Sequence, residues 1–366
     1  MDSKNWFVLN HPETIDTPAL LVYKNRISEN IAQMISIAGD PGRLIPHVKT
    51  HKMQEIIALQ VNQGIRRFKC ATIAEAEMTA LGGASAILLA YQLNAPKVDR
   101  FVNLVRRYPR ISWSSLVDNI GSARLLQDRF AEAGLTASVF LDIDTGMHRT
   151  GIAAGPALEL VEAIKGLPNV RIVGLQAYDG HIHDPDYEVR KQRAEAAMEP
   201  VWDLASKMDG SPIIIAGGSP TFTVHNRDPR LLCSPGTAVL WDYGYAQAFT
   251  EQSFLNAAVL MTRVISKPAP GLVTTDLGHK SVAAENPIDK RIFFLNLEGY
   301  KVLSQSEEHL VLQVSPGHEP EIGTVLYGLP YHICPSVALH DEARVIVDGE
   351  EVDVWPVIAR QRRINI

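Results

Sequence analysis

The chain has 366 residues, of which 46% are hydrophobic and 21% charged, and a formal net charge of −6 at pH 7. That length can bury a large core and suits two domains, while the acidic balance lacks the basic face that nucleic-acid binding needs. No apolar run is long enough to cross a bilayer, Met1-Asp2-Ser3-Lys4-Asn5-Trp6 lacks the basic-then-apolar order of a signal peptide, and three scattered cysteines, Cys70, Cys233 and Cys334, give no disulfide framework, so a cytoplasmic location is expected.

From about residue 17 to about 240, strand-like and helix-like patterns alternate. Strands are expected near 19–23, 43–48, 66–71, 85–90, 112–117, 137–143, 170–177 and 213–216, with helices near 26–38, 52–63, 74–81, 96–107, 119–133, 156–166 and 187–208. In the stretch 119–133, Asp118 or Asn119 can cap the start, Leu125, Leu126 and Phe130 form an apolar face, and Gly134 ends it. Eight alternations with short connections predict a (β/α)8 barrel of the TIM type. An open doubly wound sheet is the alternative, but no Gly-x-Gly-x-x-Gly follows the first strand. From about residue 250, strand-like runs dominate, with turns at Gly271, Pro316-Gly317 and Asp348-Gly349. The expected division is a barrel over 15–250 and a β-rich domain over 251–366, joined by 1–14.

Active-site groups of such barrels come from the loops at the C-terminal ends of the strands. One apolar run, Leu44-Ile45-Pro46-His47-Val48, ends in Lys49, with His51 two residues on. Partial desolvation at a strand mouth favours the neutral amine, which forms Schiff bases. Alone, Lys49 reads better as a charged residue at a strand end. Three other expected mouths raise its standing: Asp144-Thr145-Gly146-Met147-His148-Arg149-Thr150-Gly151, Gln176-Ala177-Tyr178-Asp179-Gly180-His181 and Gly217-Gly218-Ser219-Pro220-Thr221. The glycines of the last, with Ser234-Pro235-Gly236-Thr237, let backbone N–H groups approach an anion, although each cluster alone also suits a tight turn.

In the β-rich part, His332 and Cys334 stand two apart. On an extended segment they would face one side and could share a metal, zinc or a similar borderline ion. A rival pair is His181 and His183, with Asp184 and Asp186 beside it, and Asp276-Leu277-Gly278-His279-Lys280 is a polar turn after an apolar strand.

Taken in order, these motifs resemble the D-threonine aldolase and D-serine dehydratase family, alanine-racemase-like enzymes of fold-type III. Pro46-His47-Val48-Lys49-Thr50-His51-Lys52 resembles its pyridoxal-phosphate lysine motif, and 144–151 the segment whose arginine meets the pyridine nitrogen. Gly174–Tyr178, Gly217–Thr221 and Pro235-Gly236-Thr237 match in kind and order, and Glu307-Glu308-His309 followed by His332-Ile333-Cys334-Pro335 resembles the C-terminal metal region. The resemblance implies a barrel plus a β-domain, a homodimer, pyridoxal 5′-phosphate and a divalent metal, zinc or manganese. Residue by residue, it implies Lys49 as the Schiff-base lysine, Arg149 on the ring nitrogen and Tyr178 beside the ring. Gly217, Gly218, Ser219, Gly236 and Thr237 would take the phosphate, His51 a nearby proton, and His332 and Cys334 the metal, with Glu307 a further candidate ligand. The His-x-Cys version is similar to the zinc-dependent dehydratases. The implied reaction is retro-aldol cleavage of a D-β-hydroxy amino acid to glycine and an aldehyde. The alternatives are elimination to a 2-oxo acid and ammonia, racemisation, and non-catalytic carriage of pyridoxal phosphate.

Overall fold

The computed structural model describes residues 5–366. Two compact units form: one from residues up to Ile31, Thr50–Met53 and Thr237–Arg360, the other from Ala32–Lys49, Gln54–Gly236 and Gln361–Ile366.

The first strand, β1 (Ala19–Tyr23), belongs to the former unit. The latter is built on seven parallel strands in spatial order β2 to β8: β2 (Arg67–Cys70), β3 (Ala86–Gln92), β4 (Ser112–Val117), β5 (Ala137–Asp144), β6 (Val170–Tyr178), β7 (Ile213–Ala216) and β8 (Leu231–Cys233). The segment 44–47 bridges the two edges. Leu44 pairs with Cys233 of β8 and His47 with Lys69 of β2, and Ile45 N–H donates to Cys233 O while Lys69 N–H donates to Pro46 O, each at 2.9 Å. This segment takes the eighth stave position, as a (β/α)8 barrel requires. Ile45, Leu88, Leu116, Phe140 and Ile215 fill the interior below the mouth.

Side-chain caps start the outer helices. Thr72, Asn94, Asn119 and Asp186 accept from the N–H groups of Glu75, Lys97, Ser122 and Val189. They satisfy donors that a helix start leaves open and so fix the strand-to-helix loops at the mouth.

One expected stave is corrected, and another stave was not expected. Residues 19–23 do form a strand, but it pairs antiparallel with β9 (Ala258–Ala269) and parallel with a strand near the C-terminus, outside the barrel. Its residues are all buried, and an apolar run without alternation does not encode which sheet it enters. The last stave is instead β8, only three residues long, too short to show a period.

The other unit holds a nine-stranded mixed sheet. After β9 come β10 (Leu272–Thr275), β11 (Ile292–Phe294), β12 (Lys301–Gln305), β13 (Leu310–Gln313), β14 (Val325–Pro330), β15 (Glu342–Val347) and β16 (Glu350–Pro356). The main order is β12-β13-β10-β9-β1-β15-β16, with β14 pairing both β9 and β11. Asp348 and Gly349, with φ of 52° and 83°, close the β15–β16 hairpin in a left-handed pair that suits the strand twist. Phe7, Tyr23, Met261, Tyr327 and Ile346 are among its core residues. Among the described residues no helix is long and apolar enough to cross a membrane.

Candidate active site

A cleft opens at the barrel mouth, lined by Lys49, Lys69, Asp142, Arg149 and Tyr178 among others. Lys49 lies in the one-turn helix Val48–Thr50, just past the closing stave. Its N–H donates to His47 Nδ1 at 3.2 Å, which fixes the turn. The Tyr178 ring at the end of β6 is the shared neighbour of three cations. Lys49 Nζ is 5.7 Å from its centroid, and Lys69 Nζ and the Arg149 guanidinium are each 5.2 Å from it, within cation–π range. Gly218 approaches the same ring so closely that a Cβ there would lie 3.1 Å from Tyr178 Cε2.

The loop carrying Arg149 is shaped by Asp144. One carboxylate oxygen accepts from Gly146 N–H (2.9 Å) and His148 N–H (3.0 Å), and the other meets His148 Nδ1 at 2.8 Å. Burial pushes this carboxyl up, but the hydrogen bonds outweigh it and hold its pKa below the ordinary value. Thr150 donates to Asp142 (2.9 Å) and Gly151 N–H to Asp118 (3.1 Å). Gly151 has φ +100°, and a Cβ there would stand 2.7 Å from Asp144 N.

Lys69 was not anticipated from the sequence. It is 4% exposed, and its ammonium donates to Ser234 Oγ at 3.3 Å. Burial first, and then the like charge of Lys49, draws its pKa down from 10.5 to about 7. The alternation Arg67-Phe68-Lys69-Cys70 was the available signal, since Phe68 and Cys70 share one face and Lys69 the other, at a strand's C-terminal end. Across the cleft, burial raises the Asp142 carboxyl, although Gln92 (2.7 Å) and Thr150 donate to it.

Gly217, Gly218 and Ser219 follow β7 as expected, and Gly236 N–H donates to Ser219 Oγ at 3.1 Å. A buried pair stands beneath them: Asp179 Oδ2 meets His225 Nε2 at 2.6 Å, and Thr221 Oγ1 donates to Asp179 Oδ1 at 2.8 Å. Gly217 has φ +69°, and a Cβ on it would fall 2.6 Å from both Thr221 and His225. The turn therefore rests directly on the pair. The barrel unit thus gathers Lys49, Arg149, Tyr178, Gly217, Gly218, Ser219 and Gly236.

His51, Thr237, His332 and Cys334 belong to the other unit. His51 is 1% exposed, its Nδ1 accepts from Met53 N–H at 3.1 Å, and burial lowers its pKa to about 3. The segment 332–334 does not stay extended. His332 stands just before the short helix Ile333–Val337, with no side-chain capping bond to it. Its ring nevertheless contacts the Cys334 thiol, and Nδ1 lies 2.7 Å from Glu285 Oε1. Burial opposes the charge on His332, yet its neighbours, the thiol first, raise its pKa to about 9. Burial likewise raises the Cys334 thiol, but His332 and the hydroxyls of Thr50 (3.1 Å) and Thr237 (3.5 Å) leave it below its ordinary value.

Among the described residues no three His, Cys, Asp or Glu side chains are placed to hold an ion. Glu307 is on the surface with Lys280, at 2.6 Å. In the rival pair, His183 is exposed and Asp184 is engaged by Arg193 at 2.6 Å. The turn at Asp276 is structural, accepting from Thr17 (2.5 Å), Thr262 and Arg263 N–H (3.0 Å).

The family model described as "Alanine racemase, N-terminal domain" matches residues 22–244, and one described as "Putative serine dehydratase domain" matches 257–346. The D-threonine aldolase of Arthrobacter sp is 30% identical over 360 residues, covering 94% of this chain and 93% of its own. The 3-hydroxy-D-aspartate aldolase of Paracoccus denitrificans is 26% identical over 363 residues, with 94% and 92% covered. The crystal structure of D-threonine aldolase from Filomicrobium marinum matches with a TM-score of 0.86 at 26% identity, covering 94% of this chain and 96% of that one.

Proposed function

The chain belongs to the alanine racemase N-terminal domain family, and on that premise we propose that it is a pyridoxal-phosphate-dependent lyase of D-β-hydroxy amino acids, cleaving them to glycine and an aldehyde. One observation carries the reading: Lys49, Arg149 and Tyr178 line one barrel-mouth cleft, and the Gly217–Ser219 turn reaches the same tyrosine. Cations around an aromatic ring, beside a turn that a single Cβ would obstruct, suit a flat, anionic cofactor.

When bound, pyridoxal phosphate supplies an electrophilic carbonyl and a ring that draws electrons from the substrate's Cα. Lys49 Nζ is the amine that would hold it. The turns at Gly217, Gly218 and Ser219 and at Gly236 would hold its phosphate, with Thr237, next in sequence. Arg149 donates to the ring nitrogen and, because a guanidinium does not give up its proton, leaves that nitrogen an acceptor. Tyr178 packs beside the ring. His51, neutral at physiological pH and with Nδ1 engaged, holds a proton on Nε2.

A weakly electron-withdrawing ring calls for a second electrophile. His332 and Cys334 suit a divalent metal, zinc or manganese: a thiol drawn toward thiolate lies beside an imidazole whose Nδ1 is anchored by Glu285. Such a metal would act as a Lewis acid on the β-hydroxyl. The cysteine ligand favours the second reading, elimination to a 2-oxo acid and ammonia as in D-serine dehydratases. The enzyme is a homodimer, which light scattering tests, and the cysteine thiols Cys70, Cys233 and Cys334 support a reducing, cytoplasmic setting.

The test is a product assay with D-threonine, pyridoxal phosphate and zinc or manganese. Glycine and acetaldehyde are expected. Ammonia and 2-oxobutanoate would establish the elimination, metal-independent racemisation of D-alanine a racemase, and cofactor binding without turnover a carrier.

A further inference from the structure

Lys69 has no task in that reading, yet its surroundings demand one. Its side chain is more than nine-tenths buried. An ammonium has three N–H donors, and the protein accepts one of them, weakly, at Ser234 Oγ. Among the described residues no carboxylate lies within ion-pair distance of it. Asp142, the acid on the cleft wall whose charge acts most on it, is itself pushed toward its neutral form by burial. The other cations of the cleft, Lys49 and Arg149, add like charge around the same tyrosine ring. A buried ammonium with unused donors is unfavourable unless something completes it, and here the open side is the cleft.

Resting on the reading above, the occupant's acceptors can be assigned by elimination. The phosphate belongs to the glycine turn, the ring nitrogen to Arg149 and the carbonyl carbon to Lys49. The ring hydroxyl beside that carbonyl, which ionises to a phenolate, remains. Lys69 pairs with the stave that leads into Lys49, through His47, so the two amines flank one end of the cleft. We propose that Lys69 is a cofactor-contacting residue, its ammonium donating to the 3-oxygen of pyridoxal phosphate. Ser234 then has a double role, accepting from Lys69 and donating to Gly217 O at 2.6 Å, and so connects the phenolate contact to the phosphate turn. Burial and the like charge of Lys49 disfavour its charged form; a phenolate partner would favour it.

The test measures equilibrium binding of pyridoxal phosphate and of 3-deoxypyridoxal phosphate by ultrafiltration, for the wild type and Lys69→Met. Loss of one charge-assisted hydrogen bond is expected to weaken pyridoxal phosphate by about 10- to 100-fold and to leave the affinity for the 3-deoxy analogue unchanged. Lys69→Arg, which keeps the charge, should retain most of the affinity, and Lys69→Gln, which removes it, gives the same contrast if Lys69→Met fails to fold. Equal weakening of both ligands, or of neither, overturns the proposal. A wild type that binds no pyridoxal phosphate refutes the functional reading itself, which separates the two failures.

Discussion

Replacing Asp179 by alanine removes the carboxylate on which the proposed phosphate turn stands. Asp179 is 3% exposed, and it receives Thr221 Oγ1 at 2.8 Å and His225 Nε2 at 2.6 Å, partners that are 0% and 4% exposed. Neither partner can turn to water. Each buried donor left unsatisfied costs about 1–3 kcal/mol, so Asp179→Ala should lower the unfolding free energy by roughly 2–6 kcal/mol, a large share of the 5–15 kcal/mol typical of folded domains. Asp179→Asn keeps the volume and one carbonyl acceptor, so about half of that loss is expected. The Gly217 Cα hydrogens point at the same two partners, whose atoms stand 2.6 Å from where a Cβ would be. Relaxation of Thr221 or His225 therefore loosens the turn, and pyridoxal phosphate should bind more weakly in the same order, alanine below asparagine below wild type. Urea unfolding followed by circular dichroism gives the first quantity and ultrafiltration the second. A midpoint for Asp179→Ala within about 0.5 kcal/mol of wild type, with cofactor affinity intact, would refute the view that this pair builds the turn.

Between pH 7 and about 10 the unfolded chain keeps the Lys69 proton and the folded, cofactor-free protein does not. Lys69 therefore makes stability rise with pH across that window, by about 1.4 kcal/mol per pH unit at most. The wild type should gain stability relative to Lys69→Met by roughly 2–3 kcal/mol from pH 7 to pH 9; parallel pH profiles in urea unfolding would contradict this. Gly151→Ala places a Cβ 2.7 Å from Asp144 N at φ +100°, so a loss of roughly 2–4 kcal/mol is expected, and a wild-type melting curve would count against it. The double variant His332→Ala, Cys334→Ala should lose its metal in elemental analysis after dialysis; unchanged content would move the site to His181 and His183.

Lys49 was legible because a short apolar run ended on it, and that run proved to be the stave closing the barrel between β8 and β2. The Arg149 loop and the Gly217 turn were legible because their glycines mark positive φ, +110° at Gly146 and +69° at Gly217. Sheet membership of 19–23 was not, since a run buried on both faces carries no period to orient it. Nor was β8, whose three residues are defined only by their neighbours. Asp179 and His225 are 46 residues apart and His332 and Glu285 are 47 apart, so their pairing exists only in the fold. Lys69 lay in a strand whose alternation set Arg67 and Lys69 on one face, the pattern of a solvent-facing edge. Barrel closure makes that face the interior, where Arg67 stays exposed at the start of the strand and Lys69 is buried at its end.

Reduction with borohydride in the presence of pyridoxal phosphate, followed by peptide mass mapping, tests the central claim most directly, because it distinguishes the two lysines of the cleft. The pyridoxyl mass should appear on Lys49 and be lost in Lys49→Ala. A label on Lys69 of the wild type, or none on either lysine, would contradict the account.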